Sequence, residues 1–409
     1  MATASNTATI ARKPAREASD GASARLLARA GIVAGALALV AVVVPASLAN
    51  WAAVDHPALA AKIAPWDAAS ATAAAAALGN PRRPEVRALV GKALGRDLTQ
   101  VQAIELRALD LALSGQTTNA RKLFQLSDRL SRRSLPTRLW LIQDSVDRGN
   151  VAGALHNFDV ALRTTTDAQP ILFPVLAKAS ADPTLTVPLA RLLDRPSEWR
   201  QMFFEWVLLS DGDVGPLANV VSHMRDKQFL AANADDQRLI ERLVTAREFA
   251  QARFLNASFG RRTGLVADPS FRDSAARYPF GWGLVSNGSL GAERALDARS
   301  TELSYRAAPA NSGQVAAQLL TLVPGRYALS TRTAESGTGG VPYWSVTCGE
   351  VGGAELARLD QPMVASGQAE VAFTVPPGCS GQWLTLRVRP ASDSSSQSGS
   401  IAWVRVNSR

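Results

Sequence analysis

Four side chains near the carboxyl end, Trp383, Arg387, Trp403 and Arg405, have types and spacing suited to recognition chemistry. Alternation with period two puts Trp383, Thr385, Arg387 and Arg389 on one face of a strand and Leu384, Leu386 and Val388 on the other. In the last strand the same rule points Ala402, Val404 and Val406 one way and Ile401, Trp403 and Arg405 the other. A face carrying arginine is expected to reach water, so both tryptophans would stand exposed beside guanidinium groups. Flat aromatic faces stack on the C–H surfaces of sugars, and arginine binds hydroxyls or the carboxylates of acidic sugars. The four residues are therefore a candidate glycan-binding platform. A competing reading packs the same tryptophans against helices or a neighbouring strand, and alternation alone leaves both open.

Catalytic patterns are missing. There is no Gly-x-Ser-x-Gly elbow, no Gly-x-x-x-x-Gly-Lys loop, no His-Glu-x-x-His and no Cys-x-x-Cys. Asp235 and Asp236 are adjacent at an expected helix start, where they suit the helix dipole better than acid–base work. His156 sits on a helix with no carboxylate, cysteine or second histidine placed to partner it, and reads as a surface or groove residue. Cys348 and Cys379 lie far from His56, His156 and His223, so no metal set forms, and one disulfide is expected. The chain is expected to be non-catalytic, with no cofactor or metal.

The elements that carry these residues fall in a C-terminal module, residues 265–409, after a Gly, Ser and Arg break at 256–264. Trp344, Val346 and Cys348 alternate with small polar residues, as do Val371, Phe373 and Val375. Pro324-Gly325, Gly339-Gly340 and Pro376-Pro377-Gly378 mark turns, and the whole predicts an antiparallel β-sandwich. Asp268-Pro269-Ser270-Phe271, the run from Pro279 to Trp282, the strand–turn–strand from Leu319 to Ser330 and the closing strand Ile401 to Val406 resemble jelly-roll carbohydrate-binding modules. The resemblance implies a jelly-roll-like fold; it does not by itself carry ligand binding.

Residues 81–255 read as amphipathic helices. Val101, Ile104, Ala108 and Leu111 share one helical face, and Ala120, Leu123, Ser127 and Leu130 another. Gly115, Ala120, Phe124 and Ser127 are matched, 34 residues on, by Gly149, Ala154, Phe158 and Ala161. That period and those residue types resemble the tetratricopeptide repeat, although the tryptophan, leucine and tyrosine usual in its first helix are not in place. The resemblance implies a solenoid of α-helical hairpins that binds a protein partner. Trp199, Phe203, Phe204 and Trp206 cluster on one expected helix, as solenoid core or as a docking ridge.

The chain has 409 residues, 47% hydrophobic and 19% charged, which excludes a disordered chain and a multispanning membrane protein. Net charge is +9 but spread out, and arginine outnumbers lysine, so no basic module points to nucleic acid. Residues 1–29 form a basic tail, and 30–54 contain the apolar block 31–44, followed by Pro45 and Trp51. The uncharged length and the positive charges before it favour a single transmembrane helix with a cytoplasmic amino end. A signal peptide cleaved after Ser47-Leu48-Ala49 is the alternative. Residues 55–80 are an Ala-rich stalk or helix. The expectation is a multi-domain, α-then-β protein, single-pass in a bacterial inner membrane with its bulk periplasmic. It would bind a protein partner through its repeats and polysaccharide through its sandwich, in envelope or exopolysaccharide assembly. The alternatives are a docking factor without glycan affinity and, behind it, a glycan-active enzyme.

Overall fold

The computed structural model describes residues 39–261, 264–272, 276–296, 301–349, 353–389 and 395–409. It divides into two compact units, Met1–Asn150 and Val151–Arg409. The division falls inside the helical segment rather than at its junction with the sandwich.

The first unit is helical. Helix α1 occupies 39–55 and is followed by α2 (Pro57–Ile63), α3 (Ala68–Leu78), α4 (Pro84–Leu94), α5 (Val101–Leu113), α6 (Thr117–Leu130) and α7 (Leu135–Asp147). The expected membrane anchor is overturned here. Among the described residues no helix is long and apolar enough to cross a membrane. Residues 1–38, which hold the basic tail and the start of the expected span, lie outside the described residues. Of the expected span, α1 covers residues 39–54. Its end is also committed elsewhere, because Ala49 and Ala52 pack with Ala60 and Ala64 into a small alanine core. The single-pass inner-membrane placement falls with the anchor.

The Ala-rich stretch is a packed helix, not a stalk. Asp67 accepts hydrogen bonds from the backbone N–H and hydroxyl of Ser70 at 2.7 and 2.6 Å, which fixes the start of α3. Ala71 and Ala75 then bury against Val86, Val90 and Ala93 of α4.

Helix bounds recur at a fixed interval. Val101 and Leu113 of α5 are displaced by 34 residues in Leu135 and Asp147 of α7, and Thr117 and Leu130 of α6 by 34 in Val151 and Thr164 of α8. Gly115 and Gly149 end the leading helix of each pair with φ of 79° and 66°, a conformation that favours glycine. Buried positions keep the same interval and add an earlier copy in α4: Val86, Ala120 and Ala154; Val90, Phe124 and Phe158; Ala93, Ser127 and Ala161. An ion pair repeats too, since Arg87 reaches Asp110 at 2.6 Å and Arg121 reaches Asp144 at 2.7 Å.

Hydrogen bonding from Arg121, aided by Arg148, holds the Asp144 carboxyl below its usual value of 3.8 against the opposing effect of burial. A depressed folded value means the contribution is full above the unfolded pKa and is lost as pH falls from about 4 through the folded one. Asp144→Asn should therefore narrow the difference in urea midpoint between about pH 6 and about pH 3. An unchanged difference would show that this pair does not contribute to acid lability.

The second unit opens with α8 (Val151–Thr164), α9 (Gln169–Ala179), α10 (Thr186–Leu193), α11 (Glu198–Leu209), α12 (Gly215–Ser222), α13 (Gln228–Ala232), α14 (Asp235–Thr245) and α15 (Phe249–Ser258). Trp199, Phe203 and Phe204 of α11 are buried and edge-packed, with Phe203 5.5 Å from Phe173 and Phe204 5.6 Å from Phe229. The Trp199 indole N–H donates to Asp159 at 3.0 Å. The cluster is core, and only Trp206 of the four is partly exposed.

The rest of this unit is a two-sheet antiparallel sandwich, as the alternation predicts. Its strands are β1 (Gly283–Leu284), β2 (Leu290–Leu296), β3 (Thr301–Ala307), β4 (Gly313–Leu320), β5 (Gly325–Thr333), β6 (Tyr343–Cys348), β7 (Glu355–Asp360), β8 (Gln368–Val375), β9 (Gln382–Val388) and β10 (Gln397–Ser408). The first sheet has the order β1-β4-β9-β6-β7, and the second β2-β3-β10-β5-β8. Between them lie Trp282, Leu303, Tyr305, Trp344, Leu384 and Val404 with their neighbours. The expected disulfide joins Cys348 to Cys379, 31 residues apart, and ties the end of β6 to the loop entering β9. Closing a loop of that length contributes about 3–4 kcal/mol in the chain-entropy account.

Candidate functional site

Strand order separates the four candidate residues. Trp383 and Arg387 stand on β9 in the first sheet, while Trp403 and Arg405 stand on β10 in the second. Each strand turns its aliphatic residues into the shared core, so the two pairs face outward on opposite sides of the sandwich and form no common platform. The sequence reading of β10 also needs correction at its start. A register shift between Ile401 and Trp403 leaves Ala402 as an extra residue, and Ile401 joins Val404 and Val406 in the core. On the second sheet Trp403 is half-buried beneath the Arg405 guanidinium, 4.6 Å from the ring centre, and is paired across the ladder with Arg332.

The first sheet carries the fuller site. Trp383 is not exposed as alternation suggested; it keeps 5% of its surface because Tyr278, from the segment before β1, stacks on it at 5.8 Å. The Tyr278 ring also rests on Gly283, where a β-carbon would come within 2.5 Å of it, so this placement needs glycine. Tyr278 itself is exposed. Partial burial of its ring side, then the nearby Glu241 charge, pushes its phenol above the usual 10.0. With Glu241, Val244, Thr245, Arg247, Pro279 and Gly349, these rings line a cleft of about 480 Å³ against the end of α14.

The ladder places small residues in a row next to this aromatic pair. Gly283, Ala317, Thr385 and Ser345 lie side by side on β1, β4, β9 and β6, and Thr385 and Ser345 share a hydroxyl hydrogen bond of 2.8 Å. On the far side, Gln314, Arg387, Tyr343 and Asp360 form a parallel row. Trp383 and Arg387 are four residues apart on β9, so the aromatic pair and the Arg387 row are ~13 Å apart along the strand, with the small-residue row midway between them. The result is a track of small residues across the sheet, its floor at Ala317, Thr385 and Ser345 buried, with aromatic rings on both sides.

Guanidinium groups surround the second ring. Arg358 lies over Tyr343 at 3.9 Å and Arg389 at 4.3 Å from the ring centre, and Arg389 pairs with Asp360 at 3.1 Å. Tyr278, Tyr343 and Arg358 escaped sequence reasoning. Tyr278 comes from a turn with no periodicity, and Tyr343 and Arg358 are brought beside Arg387 only by the long-range order of β9, β6 and β7. Among the described residues no group of three His, Cys, Asp or Glu side chains could hold a metal ion. His156 is exposed on α8 in a separate cleft of about 420 Å³ that Arg191 and Arg195 of the α10 region also line.

No protein-family model and no curated protein sequence matches the chain. Solved structures similar to it include carbohydrate-binding modules. TmCBM61 in complex with β-1,4-galactotriose is 15% identical over 36% of this chain and 100% of that one, with a TM-score of 0.27. The family 16 carbohydrate-binding module-2 is 14% identical over 35% of this chain and 99% of that one, at 0.26. The CBM6 module from Cellvibrio mixtus lichenase 5A, in complex with cellotriose, is 11% identical over 31% and 92%, at 0.21.

Proposed function

We propose that this chain is a non-catalytic glycan-binding protein whose sandwich holds a sugar chain on the outer face of its first sheet. The observation that carries the reading is the pairing of the Tyr278–Trp383 stack on one side of a small-residue row with Tyr343 and Arg387 on the other. Aromatic faces take the apolar side of a sugar ring, and guanidinium, phenol and hydroxyl groups take its rim. The helices serve as a tetratricopeptide-like scaffold for a protein partner. Their 34-residue recurrence supports this, as does the open cleft lined by His156, Arg191 and Arg195. Without glycan affinity, the sandwich would instead be a docking module.

A glycan array probed with the full oxidised chain decides between these roles. Tyr278→Ala and Tyr343→Ala should each weaken binding about 3- to 10-fold, the worth of one stacking contact. Trp403→Ala, on the opposite face, should leave it unchanged. Loss of binding in Trp403→Ala alone would move the site to the second sheet, and no retained glycan at all would leave the docking role.

A further inference from the structure

The glycan-binding face of the first sheet is strongly cationic, and that character limits what it can hold. Arg387 stands beside Tyr343 in the ladder, Arg358 and Arg389 lie over the same ring, and Asp360 is the acidic residue in that row. Asp360 is already engaged by Arg389. Among the described residues neither Arg358 nor Arg387 has a carboxylate partner, and both lie on an accessible face, Arg358 exposed and Arg387 half-buried. A guanidinium laid on an aromatic ring loses less freedom when it binds, because its plane is already set. Its remaining N–H groups form a fork that matches the two oxygens of a carboxylate.

We propose that the ligand of this face is an acidic polysaccharide, a chain with uronate carboxylates, with Arg358 and Arg387 binding the carboxylates and the Tyr278–Trp383 stack taking the sugar ring. The proposal rests on the glycan reading of the same face and names its class. Alternate residues on a strand are ~6.6 Å apart on one face, and neighbouring strands are ~4.8 Å apart. Arg358 on β7 and Arg387 on β9 are thus separated by the width of β6, with Tyr343 between them, so two carboxylates, or one carboxylate and a ring hydroxyl, can be met together. The side of the track near Tyr278 supplies the contrasting half: Glu241 and Thr245 offer acceptors to hydroxyls, and no excess of cations lines that cleft. A polymer crossing the sheet would meet an apolar, hydroxyl-reading end and an anion-reading end.

The test is isothermal titration of the full oxidised chain with polygalacturonate and alginate and with the carboxyl-reduced form of each. Binding should occur with at least one acid form, fall at least tenfold on carboxyl reduction, and weaken as salt is raised. Arg358→Gln and Arg387→Gln should each weaken it about tenfold, the worth of one charge-assisted hydrogen bond. Circular dichroism on each variant separates loss of contact from loss of fold. Arg405→Gln, on the opposite face, should bind as the unaltered chain does. Equal binding of the acid and reduced polymers, or of neutral glycans in their place, would overturn the acidic class and leave the glycan reading standing. No binding to either form or to any neutral glycan would overturn both.

Discussion

Asp236→Ala should destabilise the Val151–Arg409 unit by about 3–5 kcal/mol, the range seen when one partner of a buried ion pair is removed. Asp236 is fully buried at the start of α14, where it is paired with Arg261 and has Arg277 at 3.9 Å. Arg261 follows the last helix and Arg277 precedes the first strand, so a single carboxylate joins the helices to the sandwich. Without it the Arg261 guanidinium, only 14% exposed, keeps Asn256 Oδ1 at 3.4 Å and the Phe259 ring but has no neutralising charge. The Arg409–Glu370 pair is a fair contrast, because both its side chains are half-exposed and its loss should change stability by less than about 1 kcal/mol. Urea titration of the full chain, with Glu370→Ala alongside, measures both. A change for Asp236→Ala no larger than that for Glu370→Ala would show that the junction is held by other contacts.

The sequence reading of Asp235 and Asp236 illustrates what one chain discloses. Adjacent acids before an amphipathic run mark a helix start, and α14 begins at Asp235. Their partners do not follow, because Arg261 and Arg277 arrive from segments with no period. The site was legible to the same depth. Alternation placed Trp383 with Arg387 and Trp403 with Arg405, both correctly, since each pair obeys a local rule. Which sheet each strand joins depends on partners up to a hundred residues away, so the two pairs looked like one platform when they stand on opposite faces. The extra residue at Ala402 shifted Ile401 inward without altering composition. In the helices, Phe124 and Phe158 revealed the interval because aromatic residues stand out, whereas Val90 at the same place in α4 did not. The anchor reading failed for a related reason. Hydropathy scores an alanine run as apolar whether it faces lipid or, like Ala49 and Ala52, a neighbouring helix.

Trp344→Ala should destabilise the sandwich by about 3–5 kcal/mol and weaken glycan binding with it. The indole is completely buried on β6, tilted against Trp282 at 5.6 Å, and its N–H donates to Gln361 Oε1 at 3.0 Å. That oxygen also accepts from the Thr331 hydroxyl at 2.8 Å, and the Gln361 amide donates to Thr333 at 2.7 Å, so the ring closes a buried polar network that spans both sheets. Alanine would leave a cavity the size of an indole and remove one donor from the network. Trp344→Phe keeps much of the volume and loses the donor, and should fall between alanine and the unaltered chain. The coupling to function is geometric: Tyr343 and Ser345 flank Trp344 on the same strand and point to the opposite face, into the proposed track. A strand that settles toward an empty core carries those two side chains away from Arg387 and Thr385, whereas Trp403→Ala leaves that spacing untouched. Urea titration and the same glycan titrations, run on Trp344→Ala, Trp344→Phe and Trp403→Ala, read the two effects together. Full binding by a destabilised but folded Trp344→Ala would show that the first sheet holds its outer face independently of its core.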